Sequence, residues 1–132
     1  MLSKSTLAAA RRPALIALVA GLTFAAPAFA AGVAGDAHTG RALFLSHCAV
    51  CHKANSAGGI KLGDTTSADL QAPGLESQYH ENDALIKRAI LDGEDEEGGQ
   101  LDKIMPRWAK KGLTDAQAND IIAYLHTVKT SD

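Results

Sequence analysis

Cys48-Ala49-Val50-Cys51-His52 is the stretch that decides the fold, because it contains both cysteines of the 132-residue chain and a histidine directly after them. The spacing C-x-x-C-H is typical of covalent haem attachment. Two thiols three positions apart can form thioethers with the two vinyl groups of a haem, and the next residue is then carried under the iron. We therefore expect one haem c, bound covalently through Cys48 and Cys51, with His52 as the proximal iron ligand.

The cysteine pair has three other conceivable uses, each of which the sequence disfavours. A thioredoxin-type redox pair expects a βαβ setting, which is missing here. A zinc site would need a second cysteine pair. His47 is not a ready third ligand, because it is next to Cys48 in the chain and the two side chains do not readily point the same way. A disulfide between Cys48 and Cys51 would close almost no loop, so it would stabilise the fold little. Haem attachment is the favoured interpretation.

The first thirty residues have the pattern of a secretory signal peptide. Three basic residues are followed by the apolar residues 14–26 and by the small-residue site Ala28-Phe29-Ala30. The apolar stretch is shorter than the ~20 residues of a membrane-spanning helix. We expect residues 1–30 to be cleaved, which leaves a mature domain of residues 31–132 in the periplasm with no membrane span. An uncleaved anchor is the alternative.

The charge balance argues against a nucleic-acid partner. The chain has 13 basic and 15 acidic residues, a formal net charge of −2. Three of the basic residues and none of the acidic ones lie in residues 1–30, so the mature domain has ten basic and fifteen acidic residues and a net charge of −5. Binding to nucleic acid would require a basic face.

Helical signals extend over most of the mature chain. Asp36 can cap a helix over residues 37–47, and apolar residues recur at helical spacing over residues 83–91, before a left-handed stop at Gly93. Thr114 and Gln117 form a capping box for the last helix. Its apolar positions follow the i, i+3, i+4, i+7 pattern: Ala118, Ile121, Ile122 and Leu125. No segment alternates as a strand would, so the predicted fold class is all-α.

Two segments are expected to be loops. Residues 53–72 contain several glycines and small polar residues, and a loop of this length needs something to wrap around. The second loop, residues 92–99, contains the acidic run of residues 94–97. This run could dock a basic partner or could simply be a solvated loop.

Met105 is the expected sixth ligand of the iron. It is the only methionine after residue 30, and Pro106 keeps its segment from becoming helical. A thioether ligand raises the reduction potential relative to a second imidazole. The competing ligands are three histidines that are expected at the surface: His38, His80 and His126. His80 is the strongest alternative among them.

The sequence resembles the class I cytochrome c family over residues 36–129. The order agrees: attachment motif near the mature N-terminus, Met-Pro loop, closing helix. Class II cytochromes instead carry the motif near the C-terminus. The resemblance implies that the N- and C-terminal helices cross around the haem, with Gly40 and Phe44 on the first helix against Ile121 and Tyr124 on the last.

The resemblance also implies roles for three further residues. Pro73 would offer its carbonyl to the second ring nitrogen of His52, although 21 residues separate the two, more than in the shortest family pattern. Leu75 would pack on the haem. Trp108 would lie near the haem propionates or serve in packing.

These features predict a soluble periplasmic electron carrier that exchanges single electrons with redox partner proteins such as a dehydrogenase, reductase or oxidase. With both axial positions filled, it would not be an enzyme. One alternative is a haem subunit dedicated to a single periplasmic dehydrogenase. Another, which Met105 argues against, is an open-site haem protein that binds a gas or reacts with peroxide.

Overall fold

Helix α1, Ala37–His47, begins where Asp36 accepts a hydrogen bond from the amide of Thr39. This start and both bounds were predicted from the sequence and are confirmed. The structure is a computed structural model that describes residues 34–130. The expected signal peptide, residues 1–30, lies outside the described residues.

Helix α4, Asp83–Asp92, has a cap at each end. The side chain of Asn82 accepts a hydrogen bond from the amide of Ala84, which satisfies a backbone donor of the first turn. Gly93 follows the helix in the left-handed conformation, with a φ of 70°. The predicted stop at Gly93 is confirmed, whereas the Asn82 cap was not anticipated.

Helix α5, Asp115–Leu125, is closed at its start by the predicted capping box between Thr114 and Gln117, which the structure confirms. The helix buries the four positions of the predicted apolar stripe, Ala118, Ile121, Ile122 and Leu125, and also Tyr124.

Helices α1 and α5 cross with almost no space between their backbones. A Cβ atom built on Gly40 would lie 1.8 Å from the carbonyl oxygen of Asp120 and 2.9 Å from the amide nitrogen of Ile121. Glycine is therefore required at this position for steric reasons. One turn further along α1, the fully buried ring of Phe44 contacts the ring of Tyr124. The predicted crossing is confirmed.

The remaining elements are short, and sequence periodicity did not reveal them. A two-stranded antiparallel hairpin contradicts the expectation of no strand, because paired strands of only two residues are too short to show alternation. The fold is otherwise helical, as predicted. The short elements are α2 Ala49–His52, β1 Lys61–Leu62, β2 Thr65–Thr66, α3 Gly74–Gln78 and a 3₁₀ helix Trp108–Lys111.

The buried core joins α1, α3, α4 and α5. Within residues 34–130, no helix is both long and apolar enough to cross a membrane. The core cluster consists of Phe44, Leu75, Tyr79, Ile86, Ala89, Ile90, Leu91, Ala118, Ile121, Ile122, Tyr124 and Leu125.

Candidate haem site

A cavity of about 480 Å³ opens between α2, α3, α4 and the segment that precedes the 3₁₀ helix. This volume is in the range of cofactor sites, which are concave and mostly apolar. Six of the seven residues predicted for the site line it, and Pro73 does not. The six are Cys48, Cys51, His52, Leu75, Met105 and Trp108.

One turn of helix brings the attachment motif to a single wall of the cavity. The amides of Cys51 and His52 both donate to the carbonyl of Cys48, at 3.1 and 2.9 Å. Residues three and four positions apart share a helix face. The short helix α2 therefore presents both thiols and the imidazole to the same space.

The environment of Cys48 disfavours thiolate chemistry. Burial raises the pKa of the Cys48 thiol to about 12, and the neighbouring Cys51 thiol adds to this increase. Because the thiolate is the nucleophile in thiol–disulfide exchange, this shift opposes a redox use of Cys48. The two cysteines form no disulfide with each other. In residues 34–130, His, Cys, Asp and Glu side chains form no group of three or more that could hold a metal ion.

His52 is buried, and its ring orientation is set by the backbone. Its Nδ1 donates a hydrogen bond to the carbonyl oxygen of Ala68, at 2.9 Å. Burial lowers the pKa of His52, and the bond to Ala68 opposes that shift in part. A neutral imidazole that donates through Nδ1 leaves the lone pair of Nε2 for an iron ion, which is the usual arrangement of a metal-ligating histidine.

Ala68 corrects the prediction that Pro73 is the acceptor for His52. Pro73 is exposed, and its carbonyl accepts instead from the amide of Ser77, at 2.9 Å, at the start of α3. The loop of residues 53–72 turns back at the hairpin, and the Leu70 amide donates to the Ser56 carbonyl at 2.8 Å. This path brings the carbonyl of Ala68, and not that of Pro73, next to the His52 ring. A backbone acceptor has no side-chain signature, so the sequence contained no signal for Ala68.

Met105 lies half-buried on the cavity wall, in a turn that its own segment stabilises. The Met105 amide donates to the carbonyl of Asp102 at 3.0 Å, and the Ile104 amide donates to the Asp102 carboxylate at 2.9 Å. Pro106 follows and also lines the cavity. None of the three competing histidines lines it: His38, His80 and His126.

His126 has a different role, which the sequence did not reveal. Its two ring nitrogens contact Oε1 of Glu76 and Oδ1 of Asp83, each at 2.8 Å. Partial burial alone would lower the pKa of His126, but the hydrogen bonds and the charges of these carboxylates outweigh that effect and raise it. His126 therefore joins the C-terminal end of α5 to α3 and α4.

Trp108 opens the 3₁₀ helix and packs against His47, with ring centroids 5.2 Å apart and planes inclined by 53°. Both residues line the cavity. The contact agrees with the packing role considered for Trp108, and a role near the haem propionates stays a prediction. His47 was considered only as a zinc ligand from the sequence, and its place beside Trp108 was missed.

The comparison with known families agrees with this geometry. The family model for cytochrome c matches residues 37–129. The chain belongs to the cytochrome c family. Cytochrome c proteins bind haem c covalently through a C-x-x-C-H motif and transfer electrons, and this cytochrome c supplies the motif with Cys48, Cys51 and His52. No curated protein and no solved structure matches the chain significantly.

The donor atoms around the cavity fit a haem. The thiols of Cys48 and Cys51 can form the thioether links, the Nε2 atom of His52 can bind iron, and Met105 offers a thioether to the same cavity. Leu75, which is 4% exposed, supplies apolar surface from α3. A bound haem would supply the Fe(II)/Fe(III) couple. The protein would contribute the attachment sites, candidate ligands and a mostly apolar lining.

Proposed function

We propose that this cytochrome c is an exported, periplasmic electron carrier whose haem iron is bound by His52 and Met105. The observation that carries the proposal is the position of Met105, which lines the same cavity as the two cysteines and His52. With both axial positions filled, a small ligand has no open coordination site. Electron exchange is then the chemistry that remains.

Export to the periplasm is part of the proposal and rests on the sequence. The basic, apolar and small-residue segments of residues 1–30 have the order that a secretory signal peptide requires. Covalent attachment is also useful to an exported protein, because haem that is lost outside the cell interior is hard to replace.

Two exposed apolar side chains support electron exchange with partner proteins at the cavity. Val50 and Ile104 are 79% and 47% exposed, and both line the cavity. Exposed apolar groups near a functional site favour contact with another protein. A redox partner would therefore dock on this face, close to the haem.

The acidic run of residues 94–97 gives less support for a docking surface, because several of its polar groups form hydrogen bonds or ion pairs within the protein. Arg88 pairs with the Glu94 carboxylate at 3.5 Å and donates to the carbonyl oxygen of Asp95 at 2.5 Å. The Asp95 carboxylate in turn accepts from the amides of Glu97 and Gly99, at 3.1 and 2.6 Å. These contacts explain the run as loop structure, and docking of a basic partner stays a prediction.

An optical spectrum of the purified haem protein tests the axial ligands. Ligation by Met105 should give a low-spin spectrum with the weak long-wavelength charge-transfer band of a thioether bound to ferric iron. The reduced protein should bind carbon monoxide poorly. A high-spin spectrum with rapid carbon monoxide binding would instead indicate an open-site haem protein, and a low-spin spectrum without the band would indicate a second imidazole.

A further inference from the structure

Arg107 lies at the centre of the segment that carries Met105. Its Nη1 atom donates to the carbonyl oxygens of Asp102, at 3.1 Å, and Met105, at 2.7 Å. Its Nη2 atom donates to the carbonyl oxygen of Leu101, at 2.8 Å, and to the side-chain oxygen of Gln100, at 3.3 Å. We call residues 100–105 the Met105 segment. Four acceptors of this segment thus surround one guanidinium group.

The guanidinium is itself held against the end of α4. A Cβ atom built on Gly93 would lie 2.4 Å from Nε and 2.5 Å from Cζ of Arg107, so glycine at this position leaves the space that the side chain occupies. The carbonyl of Gly93 also accepts from the Leu101 amide at 2.8 Å. Arg107 therefore connects the Met105 segment to a well-packed helix.

The chemistry of these contacts suits a rigid support. The planar guanidinium has five N–H donors in a fixed geometry, so one side chain can hold several carbonyls at set positions. Hydrogen bonds from a charged donor are stronger than neutral ones. Without them, the part of the segment next to Met105 would keep two amide hydrogen bonds to Asp102, one from Ile104 and one from Met105. The start of the segment would keep the Leu101 amide bond to Gly93 and the Gln100 side-chain bond to Glu94.

We propose that Arg107 is a positioning residue that holds the Met105 thioether in place and so determines how firmly Met105 stays on the iron. This inference rests on the proposed function, since it assumes that Met105 is the sixth ligand. A competing ligand can bind only in the fraction of molecules in which Met105 has moved away. Loss of several charge-assisted hydrogen bonds should raise that fraction about tenfold or more.

Arg88 provides a matched control for Arg107. It is also an arginine that donates to backbone carbonyls, those of Asp95 and Glu96, but it holds the neighbouring acidic loop. Arg88 does not line the cavity. Arg107→Gln and Arg88→Gln therefore each remove a guanidinium group that donates to backbone carbonyls. The two affected loops are adjacent, and only one of them contains Met105.

The experiment compares wild type, Arg107→Gln, Arg107→Lys and Arg88→Gln as exported haem proteins. Three properties are measured: the rate and affinity of carbon monoxide binding to the reduced form, the thermal loss of the ferric charge-transfer band, and the temperature of global unfolding. Arg107→Gln should bind carbon monoxide about tenfold more tightly or better, and should lose the band well below the temperature of global unfolding. Arg107→Lys should be intermediate, because an ammonium group cannot reproduce the planar fork.

Arg88→Gln should keep wild-type ligand binding even if its global stability falls. Equal carbon monoxide binding by the Arg107→Gln and Arg88→Gln proteins would overturn the inference. A charge-transfer band in Arg107→Gln that persists until global unfolding would also overturn it. Failure of both Arg107 variants to retain haem would do the same, because Arg107 would then support the fold as a whole. If the wild type itself lacks the band, the proposed function fails. If the wild type has the band but the Arg107 variants bind carbon monoxide as the wild type does, this inference fails and the proposed function stands.

Discussion

The ring of Phe44 on α1 lies 5.3 Å from the ring of Tyr124 on α5, measured between centroids, with the two planes inclined by 51°. Phe44 is fully buried, and Tyr124 is 8% exposed. The Tyr124 hydroxyl also donates to the carbonyl of Ala54, two residues after the attachment motif, at 3.3 Å. This ring pair therefore joins both terminal helices to the segment that attaches the haem.

Phe44→Ala and Tyr124→Ala should each destabilise the protein by about 3–5 kcal/mol, because each removes a buried aromatic ring. The two losses should be coupled by about 0.5–1.5 kcal/mol, since the rings are in contact. Denaturant unfolding of both single variants and the double variant measures this coupling. Tyr124→Phe is the control, because it removes the hydroxyl and keeps the ring contact. Strictly additive losses would show that the ring contact contributes nothing beyond burial.

Gly40→Ala should destabilise the protein by about 1–3 kcal/mol or more, because its added methyl group would lie 1.8 Å from the carbonyl oxygen of Asp120 and would push the helices apart. Gly74→Ala is the matched control, since a Cβ atom at that helical position meets nothing within 4 Å. Denaturant unfolding of the two variants checks the difference. Equal stabilities would contradict the close crossing of α1 and α5.

Met105→Ala should open the sixth position of the iron, lower the reduction potential and allow carbon monoxide to bind the reduced form readily. Met105→His should keep a low-spin iron but still lower the potential, because imidazole favours Fe(III) more than a thioether does. Ile104→Ala is the control, since Ile104 also lines the cavity and has no ligand atom. An unchanged spectrum and potential in Met105→Ala would assign the sixth ligand elsewhere.

His126 should make stability depend on pH. Its pKa is raised above 6.5 in the folded protein by the carboxylates of Glu76 and Asp83. The protonated histidine therefore contributes stability that is fully present below about pH 6.5 and is lost as the pH rises through its raised value. Unfolding measured against pH should show this loss in the wild type and not in His126→Gln.

His80→Asn is the control for the His126 experiment, because His80 is exposed and asparagine tolerates its positive φ of 57°. This variant should keep the wild-type dependence on pH. If the His126→Gln protein also keeps it, another group is responsible.

An intact mass of the exported protein should equal the polypeptide from Ala31 plus one haem, because the chain has a single C-x-x-C-H motif and only two cysteines. The mass of the bare polypeptide would exclude covalent attachment. Retention of residues 1–30 would indicate a membrane anchor instead of a cleaved signal peptide.

The sequence by itself determined the features that depend on neighbouring residues or on regular spacing. The haem motif, the caps at Asp36 and Thr114 and the stop at Gly93 are all local patterns, and the structure confirms both caps and the stop. The crossing at Gly40 was also foreseen, by family resemblance, because only a residue without a Cβ atom fits there.

Only the tertiary structure decided the features that depend on backbone groups or on distant side chains. Ala68, not Pro73, accepts from His52, and any residue can present a carbonyl, so no side chain identifies the acceptor. His126 meets carboxylates 50 and 43 positions away, and Arg107 meets three main-chain carbonyls. Such contacts depend on how the chain returns to itself, which helical periodicity and capping signals do not specify.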